Sequence, residues 1–271
     1  MSRYQSLSHR IQHDKKPVYL PYVMLGYPTQ NATLEACKVL IEAGVHGLEL
    51  GLPFRDPMAD GPVIQAAANM ALDNGFTTAQ AAELVAQIRG LSPTIPFTLM
   101  TYYNMVVAQG VEAFVTMFAK AGVDGILIPD LPPEYAEEVA PIFEKHGLKM
   151  VLIASPLSDD SRLELIGRYA GGFVYVITRL GITGVDETYS QKLPDLFARI
   201  HKHINLPAIA GFGISKPEHM DAMAEAGADG VIVGSKLVQL IGEAHATDNF
   251  APVTRHAREM VMRTETLRQN S

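Results

Sequence analysis

Short, nearly uninterrupted apolar runs alternate along this chain with longer stretches in which apolar residues recur every three or four positions. A polar, mildly amphipathic helical stretch over residues 2–14 precedes the first run, Val18-Tyr19-Leu20-Pro21-Tyr22-Val23-Met24, which Gly26-Tyr27-Pro28 ends. Leu34, Cys37, Leu40 and Ile41 then share one helical face, with Asn31 or Thr33 suited to cap its start, until Gly44. Leu48-Glu49-Leu50 is the second run. Further runs follow at 96–101, 126–128, Lys149–Ala154, 172–178, 206–210 and 231–233, eight in all. Helical patterns separate them near 78–89, 111–121, 134–146, 159–169, 190–203 and 216–226, with a shorter one from Lys236 and a last from about Pro252 to Leu267.

One phrase occurs three times. Ile41-Glu42-Ala43-Gly44-Val45-His46-Gly47-Leu48-Glu49-Leu50 matches Ala119-Lys120-Ala121-Gly122-Val123-Asp124-Gly125-Ile126-Leu127-Ile128, and Ala224-Glu225-Ala226-Gly227-Ala228-Asp229-Gly230-Val231-Ile232-Val233. Each copy reads as a helix end, a Gly cap, a tight turn and a buried strand, the αβ junction of a repeating βα unit. Apolar strands alternating with helices imply a parallel sheet covered on its outside. Eight units in about 250 residues match an α/β fold of the closed (β/α)8 TIM-barrel type, with an extra N-terminal helix and elaborated βα loops. An open doubly wound sheet is the alternative, because periodicity does not fix closure. No Ser/Gly-rich linker interrupts residues 1–271, so a single domain is expected.

Composition narrows the partners. With 48% hydrophobic and 19% charged residues and a net charge of -7, the chain is ordinary for a globular protein. Its Lys and Arg residues are scattered, which argues against nucleic acid or an anionic membrane as partner. The single cysteine, Cys37, forms no internal disulfide and falls at an apolar helical position, as in a reducing compartment. Residues 1–6 contain no apolar leader and no segment approaches the ~18 apolar residues of a membrane span, so a cytoplasmic protein is expected.

The chemistry concentrates after the second strand, in Leu48-Glu49-Leu50-Gly51-Leu52-Pro53-Phe54-Arg55-Asp56-Pro57-Met58-Ala59-Asp60-Gly61-Pro62. A carboxylate between leucines is costly in an apolar layer unless it is paired, neutralised or used. Barrel enzymes place their chemistry at the carboxyl ends of the strands, where Glu49 falls, and the loop after it is long enough to hold an extra helix from Pro62 to about Asn74. Two glycine turns, Gly211-Phe212-Gly213-Ile214-Ser215 and Gly234-Ser235-Lys236, follow strands seven and eight. Loops there, leading into helix N-termini, suit a phosphate group. A third glycine loop, Thr178-Arg179-Leu180-Gly181-Ile182-Thr183-Gly184-Val185, follows strand six, where a hinged lid is expected. Other readings stay open for single residues: Glu49 as a structural carboxylate, Asp60 as a helix cap before Pro62, and Tyr102 and Tyr103 as wall or core. Asp130, in Pro129-Asp130-Leu131-Pro132, is left without a role.

These motifs, with Met100-Thr101-Tyr102-Tyr103-Asn104, resemble the α subunit family of tryptophan synthase, the indole-3-glycerol-phosphate lyases, and the resemblance runs through essentially the whole chain. It implies a general acid/base at Glu49 and a partner for the indole N–H at Asp60. It implies phosphate donors at Gly184, Gly213, Gly234 and Ser235, and a lid residue at Thr183. An apolar indole slot would be formed by Tyr22, Met100, Leu127, Ile153, Tyr175 and Phe212. It further implies docking on a β subunit, in an α2β2 complex, through loops around Pro53, Arg55, Asp56 and Pro57 and around Asn104 and Met105. No cofactor or metal is expected in this chain, and pyridoxal phosphate is expected in the β subunit. The sequence departs from the usual pattern at Arg55 (usually Ser), Met105 (Pro), Tyr22 (Phe), Met100 (Leu) and Ser155 (Pro).

The residues themselves are consistent with that chemistry. Carbon–carbon cleavage commonly uses a Lys Schiff base or a metal, yet no Lys ends a strand at the catalytic face and the nine His offer no ligand spacing. Lys149 begins a strand, Lys236 enters a helix and His46 precedes strand two at the opposite end. Indole can serve as its own electron sink: protonation at C3 puts positive charge on nitrogen, where Asp60 would stabilise it, and loss of the glyceryl hydroxyl proton then expels indole and glyceraldehyde 3-phosphate. A binding and activating subunit with residual turnover, or a different phosphate-binding barrel lyase or isomerase, are the competing functional readings.

Overall fold

The computed structural model describes residues 2–178 and 192–267. Its strands are β1 Val18–Met24, β2 Leu48–Gly51, β3 Phe97–Met100, β4 Gly125–Leu127, β5 Lys149–Ala154, β6 Val174–Ile177, β7 Ala208–Gly211 and β8 Gly230–Val233. Each pairs in parallel with the next, and β8 pairs with β1, so the sheet closes into a barrel in sequence order. That closure rules out the open doubly wound alternative.

The helices are α1 Tyr4–Gln12, α2 Gln30–Glu42, α3 Pro62–Asp73, α4 Thr78–Leu91, α5 Tyr103–Gln109, α6 Val111–Ala121, α7 Ala136–Lys145, α8 Asp160–Tyr169, α9 Leu193–His203, α10 Pro217–Glu225, α11 Ser235–Thr247 and α12 Ala251–Thr266. The extra helix expected after Pro62 is α3, with proline in its first turn. Thr29, rather than Asn31 or Thr33, caps α2: its hydroxyl accepts the Ala32 N–H at 3.2 Å, three residues on, as an N-cap requires. The helix α5 was not expected from the apolar pattern, because its seven residues span only two turns and bury one side chain, Val106. No helix of the described residues is long and apolar enough to cross a membrane.

Side chains alternate across each strand, and this produces two apolar layers. Tyr19, Val23, Leu48, Leu50, Phe97 and Leu99 pack outward against the helices. Val18, Leu20, Tyr22, Met24, Met100 and Leu127 point into the barrel with Val151, Tyr175, Ile209 and Ile232. The inward stripe continues at Glu49, which is in register between Tyr22 and Thr98. Below it α1 closes the floor: the Tyr4 and Thr98 hydroxyls lie 2.6 Å apart, and the Tyr4 ring meets Phe173 edge-on.

The thrice-repeated phrase has a common structural purpose at this floor. Its glycines Gly44, Gly122 and Gly227 have φ of 88°, 98° and 103°, the left-handed region that lets the helix end and the chain turn back. Its polar residue then accepts an N–H from the strand before it. His46 Nδ1 takes Tyr19 N–H at 3.1 Å, Asp124 takes Phe97 N–H at 2.8 Å and Asp229 takes Ala208 N–H at 2.7 Å. His46 can accept only while that nitrogen is unprotonated, and burial with Arg10 nearby pushes its pKa down to about 4. His46 therefore lies on the barrel floor, at the end opposite the mouth, as its place before strand two implied.

Candidate active site

Glu49 and Asp60 reach the same space by different routes. Glu49 is carried inward by β2, in the middle of the barrel, and is 2% exposed. Asp60 arrives from the loop between β2 and α3 and is also buried. Gly61, without a side chain, is the N-cap of α3, so Asp60 is not its cap. Instead the Tyr102 hydroxyl donates to Asp60 Oδ2 at 2.9 Å and accepts the Ala59 N–H at 3.3 Å. Phe54 stacks on the Tyr102 ring with centroids 5.1 Å apart, and Gln65 holds the Asp60 carbonyl at 2.7 Å. Tyr102 thus positions a carboxylate besides forming the wall, a role its sequence neighbourhood did not reveal. Asp130 also gains a role: it accepts the Tyr103 N–H at 2.8 Å and so satisfies the first turn of α5.

The two carboxyl groups are set apart electrically. Burial, and then the charge of Asp60, raises Glu49 from the ordinary 4.5 to about 8. Glu49 Oε1 has no hydrogen-bond partner among the described residues, which leaves nothing there to stabilise its anion. Burial raises Asp60 to about 6, and the Tyr102 hydrogen bond restrains the rise. Near neutral pH the favoured state is therefore a protonated Glu49 beside an ionised Asp60.

Around them lies an apolar chamber. Tyr22, Met100, Leu127 and Tyr175 belong to one inward cluster against which the half-buried Ile153 packs. Phe212 faces Tyr175 edge-on at 6.2 Å. Its φ of +72° is costly for a residue with a side chain, and the Thr178 hydroxyl shares its proton between the Gly211 and Phe212 carbonyls at 2.7 Å each, holding the turn. Gly213 follows at φ +75°, exposed at the mouth. Gly234 is the N-cap of α11 and Ser235 its first residue, so the leading N–H groups of a 13-residue helix open at this end. Thr183 and Gly184 lie outside the described residues.

The residues expected to meet a partner divide. Pro53 is buried within the chain, beneath the loop it was expected to expose, and so offers little to a partner. Arg55 and Asp56 are exposed and Pro57 is half-buried. Asn104, exposed, and Met105, half-buried, sit on helix α5 rather than on a loop. Arg55 does not pair with Asp56: it reaches Asp73 Oδ1 at 2.9 Å and Asn69 Oδ1 at 3.4 Å, bridging its loop to α3. The same rim exposes Met58, Val107, Tyr135, Leu157 and Phe212, which follow β2, β3, β4, β5 and β7.

A family model described as Tryptophan synthase alpha chain matches residues 9–268. A tryptophan synthase alpha chain of Opitutus terrae is 43% identical over 243 residues, covering 90% of this chain and 91% of its own. That of Chloroflexus aggregans is 37% identical over 265 residues, covering 98% and 99%. Among solved structures, the tryptophan synthase subunit alpha of Legionella pneumophila superposes with a TM-score of 0.88 at 31% identity, over 98% of this chain and 100% of that one. A chain of the tryptophan synthase complex of Pyrococcus furiosus does so with a TM-score of 0.80 at 36% identity, over 91% and 99%.

Proposed function

Because the chain belongs to the tryptophan synthase alpha chain family and so is an indole-3-glycerol-phosphate lyase, we propose that Glu49 and Asp60 carry out the cleavage as a switching acid/base and a fixed anion. The observation that carries this is the pair of buried carboxyl groups in one chamber, one raised to about 8 and the other restrained near 6. Neutral Glu49 delivers its proton to C3 of the indole ring. Positive charge then grows on the ring nitrogen, where Asp60, held by Tyr102, stabilises it. Glu49, now a carboxylate, removes the proton of the glyceryl hydroxyl, the carbon–carbon bond breaks, and indole and glyceraldehyde 3-phosphate separate. Membership of this family sets aside a different barrel lyase or isomerase.

The apolar chamber of Tyr22, Met100, Leu127, Ile153, Tyr175 and Phe212 takes the indole ring in this reading. Gly213, Gly234 and Ser235 take the phosphate through N–H groups, with Gly184 and the lid residue Thr183 completing the enclosure. The exposed apolar rim around the mouth supports a β subunit docked there, consistent with relatives solved as tryptophan synthase complexes. That subunit would form an α2β2 assembly and carry the pyridoxal phosphate. The closed strand order and an outer core running from Tyr19 to Met260 support a single domain over 1–271, and the buried free thiol of Cys37 suits a cytoplasmic setting.

The test is Glu49→Gln. Indole release should fall at least ~100-fold, the usual size of a lost general acid/base, while affinity for glycerol phosphate is kept. Measuring release with and without a β subunit separates a lyase from a chain whose main task is to activate its partner. Near-native turnover in Glu49→Gln would remove this residue from the mechanism.

A further inference from the structure

After β1, β2, β3 and β6 the residue beyond the strand donates its N–H to the last carbonyl of the next strand: Leu25 to Gly51, Leu52 to Met100, Thr101 to Leu127 and Thr178 to Gly211. β7 departs from this pattern. Phe212, the residue after it, turns to φ +72° and Gly213 follows at +75°. Among the described residues neither of their N–H groups has a hydrogen-bond partner. Their neighbouring carbonyls do have one. The Gly211 carbonyl accepts the Thr178 N–H at 3.2 Å and the Thr178 hydroxyl at 2.7 Å, and the Phe212 carbonyl accepts that same hydroxyl at 2.7 Å. Both peptide units are trans, so each carbonyl points away from the N–H of its own unit. With the two carbonyls turned in toward the buried Thr178, the N–H groups of Phe212 and Gly213 are turned out toward the exposed side of the turn. The two carbonyls are not held equally. Gly211 keeps a backbone donor whatever side chain residue 178 carries, whereas among the described residues the Phe212 carbonyl has the hydroxyl alone. A φ of +72° is costly for a residue with a side chain, so without that hydroxyl the peptide between 212 and 213 is the one free to rotate and relieve it.

We propose that Thr178 is a positioning residue for the phosphate group: by gripping the Phe212 carbonyl, its hydroxyl fixes the peptide between residues 212 and 213, and with it the direction of the Gly213 N–H. This deepens the proposed function and rests on its reading of Gly213 as a phosphate donor. An N–H that is already aimed binds an oxyanion without the cost of ordering the turn when the ligand arrives. The hydroxyl acts from behind, through one carbonyl and one peptide plane, and does not touch the ligand. Valine has the shape of threonine without its hydrogen-bonding oxygen, and serine keeps the oxygen without the methyl group, so the two substitutions separate hydroxyl from bulk.

The experiment uses the complete chain and glycerol phosphate. Affinity is measured by calorimetry, and the amide resonances of Gly213, Gly234 and Ser235 are followed by NMR at saturating ligand, in the native chain, Thr178→Val, Thr178→Ala and Thr178→Ser. Thr178→Val should weaken binding about 3- to 10-fold, the size of a single neutral hydrogen bond, and Thr178→Ser should stay within about 2-fold of the native chain. The ligand-induced shift of the Gly213 amide should shrink in Thr178→Val while those of Gly234 and Ser235 remain. Thr178→Ala carries the same expectation and decides the matter if the valine variant does not fold. Native affinity in a folded valine or alanine variant, or a loss in Thr178→Ser as large as in Thr178→Val, overturns the role of the hydroxyl and leaves Gly213 a phosphate donor. Loss of all three amide shifts together overturns it as well, since the whole site is then disturbed. A Gly213 amide that glycerol phosphate does not move in the native chain overturns the reading of Gly213, and the inference with it.

Discussion

At the scale of single residues, the two carboxyl groups link catalysis to stability through one quantity, the cost of charge inside the barrel. In the proposed mechanism the competent state has Glu49 protonated and Asp60 ionised, so kcat/KM should follow a bell with limbs near 6 and 8, belonging to the coupled pair. Stability should respond in one direction only. The folded chain holds the Glu49 proton up to about 8, whereas the unfolded chain releases it near 4.5. Between those values the folded state binds more protons, so stability declines as pH rises through this window. Glu49→Gln, which never ionises, should therefore gain melting temperature relative to the native chain as pH is raised from 5 to 9. Thermal denaturation of both proteins across that range checks this. A difference independent of pH would mean that Glu49 is already ionised at pH 5 in the folded chain.

At the scale of elements, the barrel floor and the barrel mouth use backbone N–H groups in opposite ways. On the floor they are satisfied by the polar residue of each repeated junction. Asp229→Ala leaves the buried Ala208 N–H without this acceptor and should cost about 1–3 kcal/mol in urea denaturation, with indole release unaffected at temperatures where the variant is folded. A cost below about 0.5 kcal/mol would show that this N–H finds another acceptor. At the mouth no side chain caps the leading N–H groups of α11, and the proposed reading gives them to an anion. A Cβ at Gly234 would meet only Ile64 and Tyr22, each at 4.0 Å, so the first carbon of a side chain finds room there. Gly213, with φ +75°, would add backbone strain to such a test. Gly234→Val should thus weaken glycerol phosphate binding more than Ser235→Ala, by calorimetry. The opposite order would place the phosphate on side chains instead.

At the scale of the whole molecule, the rim that bears the proposed site also bears the two most exposed large apolar side chains among the described residues, Met58 at 85% and Leu157 at 75%. Arg55 lies on that rim but is engaged within the chain. Both partners of its ion pair with Asp73 are largely exposed, at 53% and 66%, so the pair is worth about 0–1 kcal/mol. Arg55→Ser should accordingly change β-subunit affinity by less than about 1 kcal/mol. A loss above about 2 kcal/mol that shrinks with added salt would mean that the guanidinium leaves Asp73 for an acidic group of the partner.

The apolar runs, their helical spacers and the repeated junction were legible in the sequence because each is a local pattern, set by the geometry of strand, helix and turn within a few residues. The place of glycine turns after strands seven and eight followed from the same order, whereas Glu49, expected at the carboxyl end of its strand, is the second of the four residues of β2 and reaches the site from the middle of the barrel. Closure of the sheet did not follow, since it depends on Val18 pairing with Gly230 across almost the whole chain. Nor did the hold of Tyr102 on Asp60, which joins residues 42 positions apart, or the floor contacts of His46, Asp124 and Asp229. The proton affinity of Glu49 is the clearest case. Its neighbours in the chain, Leu48 and Leu50, pack outward, while Glu49 itself faces the barrel interior. Desolvation and charge act through space, so the carboxyl's state was decided only when closure enclosed it and the loop brought Asp60 near.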